Sequence, residues 1–142
     1  MMRYIVFLLF ASLNLSMTID NTSELTIEVS GIDLAKKGNL RIGFFHKEGF
    51  PEPEKVVLGK IVAVHSNPMT IHFPKINGGN YAIAVLQDQD KNGKMSKNLM
   101  GYPIEPYGFS NNKFGTFGPP DYTDVAITLK QGHKHFISIN LK

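Results

Sequence analysis

The sequence predicts an all-β protein: a single antiparallel β-sandwich of about seven strands, immunoglobulin-like or transthyretin-like, with one long ordered loop rich in Gly, Pro and aromatic residues. Three observations lead there. Apolar residues recur with period two rather than 3.6, as strands with one buried face require. Gly-, Pro- and Asn-rich turns such as "AKKGN", "HSNP" and "NGGN" separate the runs. No stretch makes a convincing helix.

Taken in order, Leu25, Ile27 and Val29 alternate with Thr26, Glu28 and Ser30, and Leu40, Ile42 and Phe44 alternate with Arg41 and Gly43. The run Val56–Val64, "VVLGKIVAV", reads as strand rather than helix because of its valines and Gly59. Ile71 and Phe73 flank His72. Tyr81–Asp88, "YAIAVLQD", is apolar on both sides and so reads as a central strand. Val125, Ile127 and Leu129, then Ile137, Ile139 and Leu141, complete the set. Residues 98–122 break this rhythm. A connection that long is usually functional or disordered. Its six aromatics (Tyr102, Tyr107, Phe109, Phe114, Phe117 and Tyr122) argue for an ordered loop that buries them.

With 142 residues the chain suits one domain, expected over residues 23–142. Residues 1–18 read as a signal peptide. Arg3 precedes an apolar run, Tyr4–Leu15, that is too short to span a bilayer, and Ser16 and Thr18 permit cleavage after Thr18. The expectation is an exported protein, periplasmic or extracellular, with no transmembrane segment after signal removal. The absence of cysteine excludes disulfides and a Cys-linked lipid anchor. Loss of Arg3 from 15 basic residues leaves 14 against 12 acidic ones, without a dense basic cluster, so no nucleic-acid partner is expected.

Three segments, "GGNYAIAVLQDQDKNGK", "GYPIEPYGFSNN" and "FGPPDYTDVAITL", occur in this order and together resemble the bacterial domain of unknown function 2141 family. The resemblance spans roughly residues 25–142. It implies an exported protein of about this length and supplies no activity. In that family's pattern a His-Asp pair precedes the Asn-Gly and an Asp closes the loop. Here Gln87 stands in the His place and Ser96 in the Asp place, which weakens an ionic or catalytic role. "FPKINGGNYAIAV" is also similar to the start of a strand in collagen-adhesin B-type and transthyretin-like modules.

The stretch "DQDKNGKMS" begins like a calcium loop. Asp88, Asp90 and Asn92 fall at positions 1, 3 and 5, Gly93 at 6, with the Lys94 carbonyl and Ser96 at 7 and 9. Position 12 is Leu99, so the closing acid is missing, and Glu105 replaces it only if the chain folds back. The alternative is a turn in which Asp and Asn bond their own backbone. Glu105, Tyr107, Phe109, Ser110 and Asn111 are candidate ligand-binding residues, for a carbohydrate or a peptide, and the same aromatics suit a local mini-core. His133 and His135 share one strand face and are candidate zinc or copper ligands lacking a third. A hydrolase using carboxylates of the Asp88–Glu105 region is the enzymatic alternative. Ser110 lies outside any Gly-x-Ser-x-Gly elbow. The expected function is a non-enzymatic binding or structural accessory module, with calcium as the candidate cofactor.

Overall fold

A computed structural model describes residues 21–142. The segment read as a signal peptide lies outside them. Strands β1 (Thr22–Ser30), β2 (Asn39–Phe45), β3 (Leu58–Ala63), β4 (Met69–Asn77), β5 (Gly79–Asp88), β6 (Tyr107–Phe109), β7 (Ala126–Leu129) and β8 (Lys134–Asn140) form two sheets. One sheet has the order β4-β1-β8 and the other β3-β2-β5-β6, with β7 also paired to β5. The predicted all-β sandwich is the architecture found.

The alternating residues face each other between the sheets. Leu25, Ile27 and Val29 of β1, Leu40, Ile42 and Phe44 of β2, and Ile83 and Val85 of β5 are buried in one core. Phe44 meets Phe73 edge-on at 4.9 Å between ring centroids. Each such side chain contributes about 1.5–3 kcal/mol through burial.

Two features differ from the sequence expectation. The eighth strand, β6, lies inside the long loop, and β8 runs parallel to β1 with Ile137 opposite Ile27. Three residues, preceded by Pro106 and with Gly108 at their centre, give too weak a period to announce β6. It forms because one edge of β5 is long enough for two partners: β7 pairs with Gly79–Ala82 and β6 with Ala84–Leu86. Gly108 permits the close approach of β6 to β8, since a Cβ there would lie 2.9 Å from the Ile139 side chain.

β5 is central, as its two-sided apolar pattern predicts, and its outer face carries a second cluster. Phe45, Ala82, Phe109 and Val125 are buried there, with Phe50, Tyr107, Phe114 and Tyr122 packed around them. Tyr107, Phe109 and Phe114 make mutual edge-to-face contacts at 5.7–6.2 Å. Val125 was expected to share the inner strand face with Ile127. It instead ends the helical turn α1 (Tyr122–Val125) and joins this outer cluster. Four of the six loop aromatics are therefore buried or packed, whereas Tyr102 and Phe117 are exposed.

Candidate functional site: the acidic turn and the loop it anchors

Asp88 ends β5 with its side chain wholly buried. Its Oδ1 accepts the Asn92 N–H at 3.0 Å and its Oδ2 the Gly93 N–H at 2.9 Å. The Arg41 guanidinium stands 3.6 Å from the same Oδ2. Asp90, on the exposed side, accepts from the Asn92 N–H at 3.0 Å, the Asn92 side-chain amide at 2.8 Å and the Ser96 hydroxyl at 2.9 Å. Asn92 Oδ1 takes the Lys94 N–H at 2.7 Å. These are the self-bonded Asx turns that the spacing of Asp and Asn allows.

The chain then folds back. Lys97 bridges Pro103, and the Ile104 N–H bonds the Ser96 carbonyl at 3.0 Å, so residues 96–104 make a small returning turn. Asn98 holds its tip by accepting the Met100 and Tyr102 N–H groups at 2.9 and 3.0 Å. The return delivers Glu105 to the acidic turn, where Oε1 accepts the Gln89 N–H at 2.8 Å and Oε2 the Ser96 N–H at 2.9 Å. One oxygen from each of Asp88, Asp90 and Glu105 lies within 4.8 Å of the others.

Hydrogen bonds from the Asn92 backbone and then from the Ser96 hydroxyl hold the Asp90 carboxyl below its ordinary 3.8. A depressed carboxylate favours the fold above its unfolded pKa, and that contribution disappears as pH falls through the folded value. An NMR titration followed at the Asp90 side-chain carboxyl carbon should therefore show a midpoint below 3.8. A midpoint at or above that value would contradict the bonding described.

The other candidates are distributed as follows. The Ser110 hydroxyl accepts the Ile83 N–H at 3.0 Å and donates to the Val125 carbonyl, so it ties β5 to α1. The Asn111 side-chain amide donates to the Asp124 and Ala126 carbonyls at 3.1 and 3.2 Å. Tyr107 and Phe109 belong to the outer cluster. His133 and His135 sit with ring centroids 6.3 Å apart, and His135 Nε2 accepts the Lys130 N–H at 3.0 Å. His46 stacks on Tyr81 and His72 bonds Thr26, so neither joins that pair. Among the described residues the acidic turn is the group with metal-ligand spacing.

Sequence reasoning missed two residues here. Gln87 is fully buried. Its Oε1 accepts the Asp33 N–H at 2.8 Å, and its Nε2 donates to the Asp33 and Lys37 carbonyls at 2.7 and 2.6 Å. Asn112 mimics a strand partner for β8, accepting the Asn140 N–H at 2.8 Å and donating to the Ser138 carbonyl at 3.2 Å. Asn111 and Asn112 both have positive φ, and the "NN" pair was the available signal for this geometry.

Outside the turn, the outer face of the β3-β2-β5 sheet forms the floor of an open trough of about 1060 Å³. Residues 93–103 form one wall and residues 115–119 line it as well.

Fold and site define a two-sheet β-sandwich with an acid-closed turn pinning a long loop across one sheet. The chain belongs to the family described as uncharacterized proteins conserved in bacteria (DUF2141), whose model matches residues 27–137. No curated protein matches it. Among solved structures it is similar to the pilus-presented adhesin Spy0125 (Cpa), with 10% identity and a TM-score of 0.26. The match covers 88% of this chain and 28% of that one.

Proposed function

We propose that this chain is an exported, non-enzymatic binding or structural accessory module of the periplasm or cell exterior, in which calcium stabilises the acidic turn and thereby the long loop. The observation that carries this reading is the return of Glu105 to Asp88 and Asp90. It supplies the acid that position 12 of the loop lacks. Side-chain oxygens of Asp88, Asp90, Asn92, Ser96 and Glu105 with the Lys94 carbonyl offer six donors, the lower end of what calcium accepts. Asp88 Oδ1 accepts one amide N–H and retains a second lone pair, whereas Oδ2 accepts the Gly93 N–H and also faces the Arg41 guanidinium at 3.6 Å. Lys91, Lys94 and Lys97 oppose a cation, which places the affinity near the weak extracellular range of about 10⁻⁴–10⁻³ M.

The non-enzymatic part has its own support. A general acid needs a raised pKa, and Asp90 is held low. Ser110 is buried and bonded to backbone on both sides. Export follows from the reading of residues 1–18.

The test is a thermal melt in EDTA and then in about 10 mM calcium. A site with Kd about 1 mM adds about 1.4 kcal/mol at that concentration, which raises Tm by about 4 °C. Asp90→Ala, an exposed position, should abolish the rise. An unchanged Tm in the parent removes calcium from the proposal.

A further inference from the structure

The trough on the outer face of the five-stranded sheet has properties that the acidic turn does not explain. Its floor includes Gly43, Gly59 and Ala84, with the Val56 side chain packed against both glycines and the Phe45 ring against Gly43. Large apolar side chains line it without being buried: Ile61 is 56% exposed, Met100 80%, Tyr102 61% and Phe117 fully exposed. Isolated exposed apolar residues are ordinary, but a contiguous set along one concavity marks a binding surface. The charged residues lining it are Arg41, Lys60, Lys94 and Lys97, and no Asp or Glu lines it. Arg41 is paired with Asp88, and the Lys60 ammonium donates to the His72 carbonyl beside the Phe73 ring, which leaves Lys94 and Lys97 as the available cations. β3, which contributes Gly59 and Ile61 to the floor, is the end strand of its sheet, so its outward backbone groups can pair with an added chain.

We infer that the trough docks an extended polypeptide segment of a partner protein, bearing apolar and acidic side chains. This deepens the binding-module reading above and rests on it. The apolar side chains meet Ile61, Met100, Tyr102 and Phe117, the acidic ones meet Lys94 and Lys97, and the segment's backbone pairs with the edge of β3. Charge complementarity selects this occupant. A second copy would bring the same cations against one another, which costs affinity. A bilayer is flat, whereas this surface is concave. A carbohydrate calls for hydroxyl-matching amides and carboxylates, and the charged groups here are all cationic.

The experiment uses fluorescence anisotropy of a labelled octapeptide alternating leucine with glutamate. Two controls replace glutamate by lysine, or leucine by serine. Saturable binding of the first peptide alone is expected, weakening as salt rises. The variant Lys97→Glu, and separately Ile61→Ser with Phe117→Ser, should each weaken it about tenfold. All three positions are exposed, and an unchanged melt would establish that each variant folds. Equal binding of the lysine control, no saturation by any peptide, binding of phosphatidylglycerol vesicles instead, or self-association lost in the same variants would each overturn the inference. The calcium melt reads the turn alone. Failure of the peptide with the melt shift intact therefore removes the docking groove and leaves the turn, whereas failure of both removes the reading beneath it.

Discussion

Replacing Glu105 by Ala should destabilise the protein by about 3 kcal/mol, a fall in Tm of about 10 °C. The residue is buried and its carboxylate receives the Gln89 and Ser96 N–H groups, with the Asp90 N–H further off at 3.5 Å. Hydrogen bonds to a charged acceptor contribute about 1.5–3 kcal/mol each, and truncation leaves half-buried donors unpaired. Glu105→Gln retains one acceptor oxygen but turns a donor towards an N–H, so an intermediate loss is expected. Amide exchange should accelerate at Gln89 and Ser96 before it does in β1 or β2, because the defect is confined to the turn. A melt of Glu105→Ala within about 1 °C of the parent would show that these bonds are replaced by water without cost.

The second large effect is expected at Gln87. Gln87→Leu, close in volume, should cost about 3–5 kcal/mol, since it leaves the Asp33 N–H and the Asp33 and Lys37 carbonyls without their buried partner. The turn between β1 and β2 should loosen with it. That turn is tightly placed: Gly38, at φ +81°, sits where a Cβ would fall 2.3 Å from the Asp88 carbonyl oxygen. Urea unfolding measures the loss directly. A midpoint unchanged in Gln87→Leu would mean that the turn is held by other contacts. Gln87 thus has a structural task on the inner side of β5, one residue from Asp88, whose carboxylate serves the turn beyond.

The strands and the site differed in how far the sequence disclosed them. Period-two alternation disclosed the core faces of β1, β2 and β4, because burial of one face imposes that period whatever the topology. The spacing of Asp88, Asp90 and Asn92 disclosed a self-bonded turn, because those contacts span two to five residues. Val125 misled, since a single helical turn just before β7 moved it to the opposite face of the sheet. Tyr102 and Phe117 misled as well: aromatic content predicts burial only where a surface is available to bury against, and the outer cluster is completed by Tyr107, Phe109, Phe114 and Tyr122.

By itself the sequence determined the sandwich class, the central place of β5 and the chemistry of the acidic turn, all of which depend on short-range pattern. Only the tertiary structure decided that Glu105 closes that turn, that Gln87 is buried, that β8 lies parallel to β1, and that Lys94 and Lys97 share one trough with Ile61 and Phe117. These are contacts between residues far apart along the chain. Local propensity carries no information about which distant segments meet, because that is decided by how both sheets bury their apolar faces at once.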